Sequence, residues 1–144
     1  MKNYLFIALA TITLTTSCSL VNKSSSSATD KPLEGIEWKL VEVKEQVVPE
    51  GLMKEPNITL RSAGKRVYGN GGCNGMGGTY QLKGKSGIKF SKMSSTMMAC
   101  PNMEVEANLI EALGNADKYV IKGDTLTIMK GKGAPLAKFV AKAL

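Results

Sequence analysis

The stretch 68-YGNGGCNGMGGTY-80 carries six glycines in thirteen residues around a single cysteine, Cys73. Glycine at this density either cradles a phosphate or lets a chain turn sharply. A phosphate loop needs G-x-x-x-x-G-K-[ST] opening a helix, and the dinucleotide fingerprint likewise places its glycines at a helix start. This stretch has no lysine, offers no G-x-G-x-x-G register, and is followed by TYQL, which alternates as a strand. The glycines are therefore read as backbone geometry, a bend between strands with Cys73 held inside it.

Working outward, short β-prone pieces recur on both sides. Trp38–Val43, Ile58–Leu60, Val67–Tyr68, Thr79–Leu82, Ile88–Phe90, Tyr119–Ile121, Thr125–Met129 and Leu136–Val140 are each bounded by Gly, Lys, Ser or Pro. KGD at Lys122–Asp124 joins two of them as a hairpin. One segment has a different period. In NMEVEANLIEALGN, Val105, Leu109, Ala112 and Leu113 fall on one helical face. Asn102 is the expected N-cap, Glu104 and Glu106 suit the first turn, and Gly114 is the expected stop. The expected fold is α+β: a small antiparallel, barrel-like sheet of about seven or eight strands with one helix.

The N-terminus, MKNYLFIALATITLTTSCSL, has a basic Lys2, an apolar run from Tyr4 to Leu14, and small residues leading to Cys18. The run is too short to span a bilayer core of ~30 Å as a helix. It resembles a bacterial lipoprotein signal, with Leu14 one position earlier than that pattern places its aliphatic residue. Residues 1–17 are expected to be removed and Cys18 to be lipidated, with an ordinary secretory signal as the other reading. Residues 18–32 are Ser-rich and are expected to tether a domain spanning 33–144. That length holds one small core.

Export changes how the remaining cysteines are read. Cys73 and Cys100 are a pair in a compartment that permits oxidation, so a bridge is expected, with two buried free thiols as the alternative. The chain contains no histidine. That removes Ser-His-Asp and Cys-His catalysis and the commonest zinc ligand. The S-x-x-K spacing at Ser62–Lys65 belongs, as chemistry, to a helix start in a much larger catalytic domain. No catalytic residues, metal or cofactor are assigned.

GNGGCNGMGGTY followed by SSTMMACPNMEVE resembles the META domain family. The matching positions are Trp38–Leu40, Gly72–Asn74, Gly78–Tyr80, Thr96–Cys100, and a glutamate early in the helix, Glu104 or Glu106. The resemblance implies a small barrel-like α+β domain with Cys73 and Cys100 close together. It also implies a non-enzymatic envelope role in stress or drug tolerance or in secretion, and a fold similar to lipid-binding pilot lipoproteins. It carries over no catalytic site.

From Pro56 to Met103 there is no Asp or Glu, while Arg61, Lys65, Arg66, Lys83, Lys85, Lys89 and Lys92 give seven positive charges. These residues could contact an anionic surface or an acidic partner. They could equally form a solvated strand face. Nucleic acid is not expected, because no array of stacking aromatics accompanies the charge. Met93, Met97, Met98 and Met103 surround Cys100, a set that could bind Cu(I) if Cys100 were a free thiolate. The chain is expected to be a monomeric outer-membrane lipoprotein facing the periplasm. It would bind an envelope protein or an anionic surface, or act as an inhibitor or secretion-accessory scaffold.

Overall fold

A computed structural model describes residues 29–142. The signal segment, Cys18 and most of the tether lie outside the described residues.

The elements are β1 (Glu37–Val43), β2 (Gln46–Val47), β3 (Asn57–Arg61), β4 (Arg66–Asn70), β5 (Gly75–Lys83), β6 (Gly87–Ser95), α1 (Glu104–Asn115), β7 (Lys118–Lys122), β8 (Thr125–Met129) and β9 (Pro135–Ala141). All pairings are antiparallel, in the order β2-β1-β3-β4-β5-β6-β7-β8-β9, and β9 pairs back onto β1. Eight strands thus form a ring, matching the expected barrel-like sheet, and β2 is an addition at its rim. The sequence carries no sign of β2. Its turn residues, Lys44 and Glu45, both adopt positive φ, 48° and 64°, where Asn or Gly is usual.

Alternation builds the core. Ile58 and Leu60, Ile88 and Phe90, and Leu126 and Ile128 point inward from strands whose other residues face out. In β1, Trp38 and Leu40 point inward. A register shift between Leu40 and Glu42 then turns Val43 inward and leaves the Glu42 carboxylate at the surface. Each large side chain fully buried this way contributes about 1.5–3 kcal/mol. The helix buries Val105, Leu109, Ala112 and Leu113, the face its periodicity indicates, against β6, β9 and β1. Every buried apolar side chain among the described residues lies between Leu33 and Phe139, so the domain contains its own core.

The helix termini differ from expectation. Met103, not Asn102, is the N-cap, and no side chain caps it. Tertiary ties described below fix that terminus instead of local capping. The helix also runs through Gly114 to Asn115, whose side-chain amide donates to the Glu111 carbonyl at 3.0 Å.

Alternating strand direction sorts the connections to two ends. At the entry end lie the incoming segment 29–36, the β3–β4 connection, and the β5–β6 and β7–β8 turns. There Lys31 N donates to the Gly123 carbonyl (2.8 Å) and Gly123 N to Asp30 Oδ1 (2.7 Å). Trp38 Nε1 donates to the Leu33 carbonyl at 3.0 Å. At the disulfide end lie the β2–β3 loop, the β4–β5 loop and the segment between β6 and α1, while the β8–β9 turn, whose Gly131 N donates to Asp117 Oδ1, lies beside the α1–β7 junction and the start of β6.

Candidate functional site

The glycine stretch is a hairpin. Asn70 pairs with Gly75, so β4 and β5 run into the stretch and only residues 71–74 turn. The bend is shorter than the sequence suggests, because glycine sits within strands as well as in the loop. Gly72 adopts a φ of +109°, open only to glycine at little cost, and its N–H donates to Asn70 Oδ1 at 2.8 Å. Gly71 lies where a Cβ would come within 2.4 Å of Glu106 Cγ.

That close approach seats a buried polar knot. Asn74 N donates to Glu106 Oε2 at 2.8 Å, with Asn74 at 0% and Glu106 at 4% exposure. The Asn74 side chain then braces the segment after β6. Its Oδ1 accepts from Met98 N (2.7 Å) and Thr96 Oγ1 (2.8 Å), and its Nδ2 donates to the Met98 carbonyl (3.1 Å). Cys73 and Cys100 are joined in a disulfide with Cα atoms 6.2 Å apart. The Gly-Cys-Asn and Thr-x-Met-x-Cys motifs are thus two halves of one clamp, closed by a covalent bond and an amide. The sequence placed Glu106 in the first turn for its charge, but its carboxylate works as a buried acceptor. The pairing also removes the copper site, since Cys100 carries no free thiolate. Around the clamp Met53, Met97, Met98 and Met103 are exposed, Met97 at 98%.

All seven basic candidates are exposed, but they do not form one site. Arg61 lies over the Tyr68 ring at 5.1 Å and donates from Nε to its hydroxyl at 3.1 Å. Lys65 pairs with Glu34 at 2.7 Å. Glu34 also accepts from the Tyr80 hydroxyl. The hydrogen bond from Lys65, and then that from Tyr80, hold the Glu34 carboxyl below its ordinary range. Burial and the Glu34 carboxylate push the Tyr80 hydroxyl above its ordinary range. Arg66 faces Arg61 across β3 and β4. Lys83 and Lys85 sit at the entry end, Lys89 is on the outer face of β6, and Lys92 lies further along β6 toward the disulfide end.

Among the described residues, Arg66, Lys83, Lys85, Lys89 and Lys92 make no ion pair. Around β1 and β9, by contrast, Lys39, Lys44, Lys138 and Lys142 are all paired with glutamates. A hollow of about 680 Å³ between the start of β6 and the end of α1 is lined by Lys83, Lys89 and Lys130. The helix C-terminus that also borders it presents carbonyls, which repel an anion.

Two solved structures share the fold. One, described as the NMR structure of the protein from Burkholderia xenovorans, is 22% identical with a TM-score of 0.62, covering 78% of this chain and 85% of that one. Another NMR structure is 19% identical with a TM-score of 0.58, covering 75% and 90%. No curated protein matches the chain. The META domain model matches residues 31–143, which takes in the whole ring, the helix and both halves of the clamp; the chain belongs to the META domain family.

Proposed function

We propose that this is a non-enzymatic cell-envelope lipoprotein, held to the outer membrane through Cys18 and facing the periplasm. Its META domain acts by binding, in stress or drug tolerance or in envelope assembly. The observation that carries the reading is the Cys73–Cys100 disulfide, which suits an oxidising compartment, in a chain whose N-terminus has an export-like apolar run from Tyr4 to Leu14 followed by small residues leading to Cys18. In this reading the glycine stretch serves the clamp and binds no ligand. Cys18→Ala should move the protein from the membrane fraction to the soluble exported fraction and abolish the lipid mass on the N-terminus. A mutant that stays membrane-bound with an unchanged mass overturns the anchor.

A second reading, a scaffold that docks a protein in secretion or inhibition, is favoured by the exposed methionines around the clamp. Methionine adapts to varied apolar surfaces, and a covalently braced loop loses little entropy on binding. Crosslinking in native membranes from a photoreactive residue at Met97 should capture one envelope protein, and a ladder of unrelated products argues against it.

A further inference from the structure

We propose that the entry end of the barrel docks on an anionic phospholipid bilayer, with Lys31, Lys83, Lys85 and Lys122 at the headgroups. The proposal takes its geometry from the anchor reading above, and it narrows the basic stretch to a specific surface. The incoming segment lies across this end of the ring. Asp30 and Lys31 are bound to Gly123 in the β7–β8 turn, and they share a hollow with Lys85, Ser86 and Tyr119. Pro32 to Gly35 continue past Arg61 and Leu82. A lipid on Cys18 is eleven residues from Thr29, and no conformation of that length exceeds about 40 Å. The chain therefore leaves the domain toward the anchor from the entry end, and a tether of that length lets this end reach the membrane.

Its charges are arranged for that neighbour. Lys31, Lys83, Lys85 and Lys122 are exposed and make no ion pair among the described residues. The carboxylates near these lysines are Asp30, Glu34, Glu37, Asp124 and Asp117, the last lining the hollow beside Lys83. Glu34 and Glu37 are neutralised by Lys65 and Lys142; Asp30 accepts from Gly123 N, Asp117 from Gly131 N and Asp124 from the Thr125 hydroxyl, so three carboxylates stand against the four unpaired lysines. Leu82 is exposed between the lysines, an apolar side chain suited to the headgroup boundary. The opposite end has a different balance, with Glu45, Glu50 and Glu104 exposed beside Lys54 and Lys92. Lys92, Arg61 and Lys65 fall outside the docking surface, the first by position and the others through their partners.

The test uses the domain from Thr29 onward, which holds its own core and lacks Cys18. Its sedimentation with phosphatidylcholine vesicles, with and without phosphatidylglycerol, should show binding only to the anionic vesicles at 0.01 M salt. Binding should be lost at high salt, where screening shortens the Debye length from ~30 Å to ~3 Å. Lys83→Glu/Lys85→Glu should weaken binding by about tenfold or more, at roughly a factor of several per charge near the surface. Lys54→Glu/Lys92→Glu changes net charge equally toward the disulfide end, where Lys54 N donates to the Gly72 carbonyl and Lys92 lies far along β6, and should have much less effect. Thermal melting of each variant reports that it is folded.

Equal weakening by the two pairs overturns the proposal, since net charge alone would then govern. So does binding to neutral vesicles, or displacement by millimolar inorganic phosphate, which would mark a small-anion site. Because the domain lacks Cys18, this result is independent of the fractionation experiment on the anchor.

Discussion

The two ends of the barrel use polar groups in opposite ways. At the disulfide end the polar groups of the clamp are buried and engaged: Asn74 bonds the Met98 backbone at both its N–H and carbonyl, and Glu106 receives Asn74 N. At the entry end Lys83 and Lys85 are exposed and engage nothing among the described residues. A buried polar group without partners costs ~1–3 kcal/mol, so the first arrangement must be complete for the domain to fold. A solvated lysine carries no such demand. The first end is organised by folding, and the second is left free for whatever meets it.

The largest break in that comparison should come from the disulfide. Cys73→Ser removes a crosslink spanning 27 positions and should destabilise the domain by about 3 kcal/mol, lowering Tm by roughly 10–15 °C. Differential scanning calorimetry with and without reductant reads this directly. Thiol counting on the denatured domain should find none free before reduction and two after. Two free thiols in protein purified without reductant would remove the covalent half of the clamp.

Asn74→Ala should come next, at about 2–3 kcal/mol, because it strips the acceptor from Met98 N and Thr96 and leaves the Met98 backbone without its partners. In a double-mutant cycle with Cys73→Ser the two losses should not add, since both brace the same segment. Additive losses would show two independent supports, and the clamp would not be one unit.

How far the two ends could be read from sequence follows the same divide. The inward faces of β3, β6 and β8 and the buried face of α1 are legible because burial repeats with the period of the element. The glycine stretch betrays a turn because positive φ and close packing select glycine. The knot is not legible. Asn74 and Glu106 meet over 32 positions of chain, and no local pattern distinguishes a buried acceptor from a surface glutamate. The resemblance offered Glu104 or Glu106, and only burial separates them. Nor is the division of the seven basic residues legible, because Lys65 finds Glu34 across 31 positions. The hairpin of β2 leaves no mark, since Lys44 and Glu45 are not the residues its turn prefers.

A smaller effect belongs to Glu34, a folding contact that reaches into the entry end. Its folded pKa is lowered, so its contribution is present above the unfolded value of 4.5 and is lost as pH falls through the folded value. Glu34→Gln should therefore lower Tm at pH 7 by no more than about 4 °C, the scale of a partly exposed pair. The difference from wild type should close as pH drops below 4.5. A gap that persists at pH 2 would mean that packing against Tyr80, not charge, carries the contribution.

The smallest expected change sharpens the comparison most. Lys83→Glu/Lys85→Glu should move stability by no more than about 0.5 kcal/mol, within about 2 °C in Tm. Lys83 faces Gly87 across the β5–β6 ladder and Lys85 stands in the turn beyond it, and among the described residues neither side chain has a hydrogen bond or ion pair to lose. Replacing two unpaired positive charges in a basic region also relieves repulsion, which sets any change toward stabilisation at low salt. Melting curves at 0.02 M and 0.5 M salt separate these effects, with a small stabilisation at low salt fading at high salt. A loss comparable to that from Cys73→Ser, at either salt concentration, would make these lysines part of the folding machinery. The difference between the two ends would then disappear, because both would be organised by the fold.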